Sequence, residues 1–306
     1  MSSPSPSSNL IPSDTVPQLI SLNASSQIPT KLSKDGSNYS SWKSQLTMLM
    51  APLRVRPPLI QTTIFGNDKF PRAWYRELRT YLLQSGFHNS KSDTSLFIFH
   101  MDGCFLLLLV YVDDIIITAN KPAILSSFIT KLASQFSLKD LDALSYFLGL
   151  EALRTPSGLL LTQQKYIRDL LTCAHMVDAS PTPTQLSPND VLTLHDGTPP
   201  HDATEYCSIV GALQYLSFTR PNINFIVNKL AQFMHCPSSG HWQAIKRVLR
   251  YLKGTPHFGI FLAADTPFSL HAFADADWAG DTYTRHSTSA YVLFLGRNPI
   301  SWSSKK

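Results

Sequence analysis

Two adjacent aspartates, Asp113 and Asp114, interrupt the apolar run LLLLVYVDDIIITA at residues 106–119. Neighbouring residues of a strand point to opposite faces. Both carboxylates serve one site only if the chain turns sharply between two flanking strands. Buried carboxylates are costly unless they are paired or bind a metal. No Lys or Arg stands within five residues on either side. A divalent cation is then a natural partner, and Mg²⁺ favours carboxylate oxygens. A solvated hairpin tip is the other reading, and the residues alone leave both open. A membrane span is excluded, because the run from Phe105 to Ala119 is too short and carries two acids at its centre.

The surrounding pattern supports a turn. SLFIFHM, Asp102-Gly103 and CFLLLLVYV form a β-hairpin pattern, and IIITA continues as a strand after the double aspartate. Upstream, PRAWYRELRTYLLQSGF opens with Pro71, closes with Gly86 and carries Trp74, Leu78, Tyr81 and Leu82 as an apolar stripe, which predicts a helix. Downstream, Asn120 is expected to cap a helix with Ile124, Phe128, Leu132 and Phe136 at helical spacing. SYFLGLEALRT and LLLTQ flank Pro156-Ser157-Gly158 as a second hairpin, and QQKYIRDLLTCAHM is a helix.

Residues 177–203 hold five prolines and little period, so a linker is expected there. The segment from Ala203 to His235 predicts two helices broken at Pro221, and SSGHWQAIKRVLRYLKGT a third. On that third helix Trp242, Ile245, Leu249 and Leu252 share one face, and Lys246, Arg247, Arg250 and Lys253 lie largely on another. Such a row can track phosphates, or it can be a solvated face. SLHAFADADW, STSAYVLFLG and NPISWSS predict three successive strands.

The formal charge of +5 is compatible with a polyanionic partner without requiring one. The cysteines at 104, 173, 207 and 236 form no C-x-x-C pair, which argues against a zinc knuckle or a disulfide framework. The Ser/Pro-rich start lacks an apolar signal core, so an intracellular location and no secretory signal are expected.

The context LVYVDDIIITA resembles the catalytic hairpin of reverse transcriptases of copia-type retrotransposons. PRAWYRELRTYLLQSGFHNSKSDTSLFIF, KDLDALSYFLGLEALRTPSGLLLTQQKYIRDLL, TEYCSIVGALQYLSFTRPNINFIVNKLAQFMH and FADADWAGDTYTRHSTSAYVLFLG resemble consecutive pieces of the same polyprotein. The resemblance implies a palm whose hairpin presents Asp113 and Asp114 to Mg²⁺, with an RNA or DNA template-primer as partner and no small-molecule cofactor. It places Tyr111 beside the primer end and makes Phe147, Leu148 and Gly149 part of a primer-gripping hairpin. Lys246, Arg247, Arg250 and Lys253 become nucleic-acid contacts, and Asp275 resembles the first metal ligand of a ribonuclease H domain. IPTKLSKDGSNYSSWKSQLTMLM resembles the start of a gag protein, which suggests gag-like proteins as further partners.

The resemblance also implies what is lacking. The family places another carboxylate well upstream of the double aspartate. Here the acids between Pro71 and Tyr111 are Glu77 on a helix, Asp93 in a loop and Asp102 in a turn. The later ribonuclease H ligands would follow SWSSKK, so no ribonuclease H activity is expected. The expected fold is α+β, with a partial palm, a helical connection region and a truncated ribonuclease-H-like three-stranded sheet. The expected divisions are a disordered stretch at 1–30, a gag-like helical fragment at 31–53 and a junction without an element at 54–70. A partial palm follows at 71–176, then the linker at 177–203, helices at 204–264 and the truncated sheet region at 265–306. Loss of the upstream strand would bare an apolar sheet edge unless another segment filled it. Three readings follow: a catalytically incomplete polymerase fragment, a non-catalytic nucleic-acid-binding or gag-interacting remnant, or a decayed product with no molecular function.

Overall fold

The computed structural model describes residues 59–64, 71–111, 114–187, 192–281 and 285–306. The expected disordered start, the gag-like fragment and Asp113 lie outside the described residues.

The fold is mixed α/β with antiparallel sheets. Its largest sheet contains six strands: β1 (Leu59–Ile64), β2 (His88–Asn89), β3 (Leu96–Met101), β4 (Cys104–Tyr111), β5 (Asp114–Ala119) and β6 (Leu138–Ala143). Their order is β2-β3-β4-β5-β1-β6. The stretch expected to be a junction without an element therefore contains a strand, and it is an inner one. β1 pairs with β5 on one side and with β6 on the other. It fills the edge expected to be bare. Its sequence, LIQTTI, lacks the apolar-polar alternation that signals a strand, but four of its six residues are β-branched and suit a pleated sheet. β6 likewise gives no period-two signal in LKDLDA.

The β3–β4 connection is the expected two-residue turn. Asp102 and Gly103 both take positive φ, at 50° and 69°, as a tight turn matching the twist of the strands requires. Asn120 does not cap the next helix as expected. Its amide donates to Gly103 O at 2.8 Å, and its carbonyl accepts from the Phe105 N–H at 3.0 Å. It ties the end of β5 back to the hairpin turn, and Lys121 takes the cap position.

Two helices, α1 (Pro71–Gln84) and α2 (Pro122–Gln135), cover one face of this sheet. Leu78, Leu82, Leu125, Ile129 and Leu132 pack there against Leu106, Leu108, Val110, Ile115 and Ile117. The opposite face presents Leu107, Leu109 and Ile116 to a second sheet. That sheet has the order β10-β9-β8-β7, built from β7 (Tyr146–Phe147), β8 (Leu150–Thr155), β9 (Gly158–Thr162) and β10 (Ile260–Ala263). The double-aspartate hairpin is thus sandwiched, which is why its strands are apolar on both faces.

A helical body follows, made of α3 (Gln164–Cys173), α4 (Ala203–Leu216), α5 (Asn224–Ala231) and α6 (Ser239–Gly254), with its own buried core. The break at Pro221 is a short 3-10 turn between α4 and α5. The last three strands, β11 (Leu270–Ala276), β12 (Ser289–Leu295) and β13 (Asn298–Lys305), form an antiparallel sheet in chain order. It is anchored through β13, where the Trp302 indole donates to Ser217 O at 3.0 Å and the Asn228 amide donates to Ser304 O.

The start of α6 is locked by a buried histidine. His241 is fully buried and stacks on Phe233, with ring centroids 4.0 Å apart. Its Nδ1 accepts from the Ser238 N–H at 3.1 Å, and its Nε2 donates to Thr193 O at 2.9 Å. Both contacts suit the neutral ring. Burial pushes the His241 pKa below the ordinary 6.5, against the opposing pull of the Thr193 carbonyl and Asp196. The unfolded chain binds this proton below about pH 6.5 and the folded chain only at lower pH, so stability falls as pH drops below about 6.5. Asp196 behaves differently. Burial favours its neutral form, but hydrogen bonds from Ser238 and from the Thr198 N–H and hydroxyl outweigh that and hold it at about 2. Its contribution is present above the usual carboxylate pKa and is lost as pH falls from there toward 2. Urea titrations from pH 7 to pH 3 should show declining stability in two limbs. His241→Gln should flatten the upper limb.

Candidate functional site

Tyr111 and Asp114 stand directly opposite each other where β4 and β5 meet, so only two residues connect the strands. Asp114 is half-buried. In register it shares the sheet face of Ile116, which faces the second sheet, and not that of Ile115 and Ile117, which face the helices.

On its other side, Asp114 is paired in register with Thr63 of β1. Beyond Thr63 stands Lys139 of β6, and Asp140 stands opposite Thr62. Strands lie about 4.8 Å apart, so the β6 backbone is roughly 10 Å from that of β5. β1 thus has no acid, and across it from Asp114 the nearest acidic position among the described strands, Asp140, is one strand further. Among the described residues, no three His, Cys, Asp or Glu side chains converge as a metal cage. Glu77, Asp93 and Asp102 sit on α1, in a loop and in the β3–β4 turn, as the sequence suggested. Asp275 lies on β11 in a different sheet and accepts from the Ala276 N–H at 2.9 Å. The described donors do not by themselves fit a divalent metal.

The structure does bring Tyr111 to the second hairpin. Phe147 is buried and meets the Tyr111 ring edge-to-face, with centroids 6.4 Å apart. Leu148 and Gly149 form the turn between β7 and β8, with φ of 48° and 72°. The Tyr215 hydroxyl, from α4, donates to Leu148 O. Glu151 accepts from the Lys165 N–H at 2.7 Å and from the Thr162 hydroxyl at 3.4 Å. The turn is therefore clamped to two helices. Nothing in the sequence pointed to Tyr215, which contacts the turn across 67 positions of chain. A Cβ at Gly149 would lie 2.5 Å from the Tyr215 oxygen, on backbone that disfavours side chains. Gly149→Ala should cost about 1–3 kcal/mol in urea unfolding and loosen this clamp.

The basic row of α6 is engaged elsewhere. Arg247 donates to the Thr184 hydroxyl at 2.8 Å, Arg250 to Ser180 O at 2.6 Å, and Lys253 to Val177 O. These three fasten the proline-rich segment along the helix. Lys246 instead lies over the Trp242 ring, 6.0 Å from its centroid.

Residues 59–188 match the family of reverse transcriptases (RNA-dependent DNA polymerases). The match begins at the first residue of β1, so the unexpected strand is inside the matched domain. The chain is 53% identical over 247 residues to the retrovirus-related Pol polyprotein from transposon RE1 of Arabidopsis thaliana, covering 81% of this chain and 17% of that protein. It is 44% identical over 203 residues to a mitochondrial protein of the same plant, covering 66% of this chain and 83% of that one. It is also 30% identical over 247 residues to a putative transposon Ty5-1 protein of Saccharomyces cerevisiae, covering 79% and 80%. The chain belongs to the reverse transcriptase family. It carries a reverse transcriptase domain of the copia-type Pol polyproteins and spans less than a fifth of the length of the RE1 polyprotein. Reverse transcriptases bind a nucleic-acid template-primer and use divalent metal ions. Among the described residues, no helix is long and apolar enough to cross a membrane.

Proposed function

We propose that this chain is a reverse transcriptase fragment that retains a template-primer-binding surface and lacks a complete polymerase metal site. In this reading the six-stranded sheet is a partial palm. The α4–α6 body is a connection region, and β11–β13 are three strands of a ribonuclease-H-like sheet. Asp113 and Asp114 are what remains of the metal-ligand set, too few by themselves to hold a metal for phosphoryl transfer. The observation carrying the proposal is the register of β1: Thr63, not an acid, stands beside Asp114.

Binding is supported by the Tyr111–Phe147 contact and by the clamped Leu148–Gly149 turn, which together form a rigid ledge beside the hairpin. The commitment of Arg247, Arg250 and Lys253 to the 177–184 segment leaves Lys246 as the member of that row without such a tie. The interface is then weak and salt-sensitive. Its affinity for a template-primer duplex should fall by about tenfold or more between 50 and 200 mM salt. Two assays on the full chain with Mg²⁺ test this: fluorescence anisotropy with a labelled RNA/DNA template-primer, and primer extension. Duplex binding without extension is expected. Extension that Asp114→Asn abolishes would overturn the incomplete-site reading, and absence of binding at low salt would overturn the retained surface.

A further inference from the structure

The turn between β7 and β8 is held in a conformation that one of its two residues resists. Leu148 and Gly149 both take positive φ, at 48° and 72°. Glycine adopts that region freely, but a leucine there is strained and persists only where its surroundings fix it. Leu148 packs against the core between the two sheets, and Tyr215 of α4 donates its hydroxyl to Leu148 O. The Tyr215 ring is itself fixed. It stands edge-to-face with Tyr166 of α3, with centroids 4.9 Å apart, and with Phe218 at 5.8 Å. Such aromatic pairs hold a ring, and with it the hydroxyl, in one place.

This contact decides where the next N–H points. The Leu148–Gly149 peptide is trans and planar. Its carbonyl oxygen lies on the same side as the Gly149 Cα, and its N–H lies on the other. Two observations put the Tyr215 hydroxyl on the carbonyl side. Leu148 O accepts from it, and a Cβ at Gly149 would lie 2.5 Å from it. The Gly149 N–H is thereby directed away from α4. Among the described residues it meets no acceptor, and Gly149 is only partly buried. An unengaged N–H on a residue with no side chain to hold a ligand off suits an anionic oxygen. Phe147, just before the turn, ties it to Tyr111, so this donor belongs to the ledge beside the β4–β5 connection.

We infer that Tyr215 is a positioning residue for template-primer binding: by holding the Leu148 carbonyl toward α4, it aims the Gly149 N–H at one phosphate of the bound nucleic acid. The inference rests on the template-primer reading above. Fluorescence anisotropy on the full chain tests it with Tyr215→Phe, which keeps the ring and removes the hydroxyl. The probes are RNA/DNA template-primers with one uncharged methylphosphonate linkage in the primer, moved one position at a time. The wild type should lose affinity about threefold or more at one linkage or more, where an N–H to O⁻ bond is lost. Tyr215→Phe should bind the unmodified duplex about threefold or more weakly. One of the sensitive linkages should become indifferent in that variant, to within about twofold, while the effects of the others stay. A tyrosine that only stabilised the fold would weaken all duplexes alike or none. Thermal melts confirm that the variant folds, and the wild-type scan stands without it. No wild-type binding at low salt overturns the template-primer reading and this inference with it. Wild-type binding with no sensitive linkage, with Tyr215→Phe unchanged, or with every linkage effect persisting in the variant overturns this inference alone.

Discussion

Thr62→Pro should remove the cooperative unfolding transition of the six-stranded sheet and send much of the protein into the insoluble fraction. Thr62 is an inner position of β1, opposite Ile115 of β5 and opposite Asp140 of β6. Proline there lacks the N–H that a ladder uses and is confined to edges or bulges in ordinary sheets. The lost ladder bond and the carbonyl left without its donor cost about 1–3 kcal/mol, a large share of the roughly 5–15 kcal/mol that stabilises a domain. The consequence spreads because β5 is the next strand in. Ile115, Ile116 and Ile117 are each at most 2% exposed, and their strand would gain a bare apolar edge. Near-UV circular dichroism melts and the soluble yield read the effect. A melt indistinguishable from wild type would mean that β1 does not seal this sheet.

Arg220→Ala should destabilise the helical body by about 3–5 kcal/mol in urea unfolding. Arg220 follows α4 and is 1% exposed. Its guanidinium donates to Thr255 O at 2.7 Å and to the Thr255 hydroxyl at 2.6 Å. It lies 5.5 Å from the Tyr251 ring centre and 5.6 Å from that of Phe258. These partners are neutral. Burial pulls the Arg220 pKa down, against the support of Tyr251. The fork spans two acceptors while its plane meets ring faces, so Arg220→Lys should recover little. Arg220→Met should recover more than lysine does, because it fills the space without a buried charge. If methionine instead proved as damaging as alanine, the hydrogen bonds rather than the packing would be the dominant contribution.

Hairpins and amphipathic helices were legible because their signals are local. Pro71 and Gly86 bracket α1, the Asp102-Gly103 turn registers β3 with β4, and the stripe on α6 is the stripe that is buried. The resemblance around Tyr111 and Asp114 was equally local and carried the family. Asn120 was misread because its side chain has two local uses, and a neighbouring strand settled the choice. The basic row of α6 had the right spacing for phosphates. Whether its charges are free depends on where residues 177–184 run, which spacing on the helix does not contain.

The chain's own order of residues determined that two apolar strands would meet at Tyr111 and Asp114 across a two-residue connection, because alternation, turn chemistry and capping act over a few positions. It also determined, through the matching motifs, membership of the reverse transcriptases. Only the tertiary structure decided which strand lies beside Asp114 and how the Leu148–Gly149 turn is held. Pairing between distant strands leaves no periodic mark on a segment such as LIQTTI, and a hydroxyl 67 positions away leaves none on the turn it clamps. Those contacts arise from burying two sheets against each other, and that burial is a property of the assembled layers.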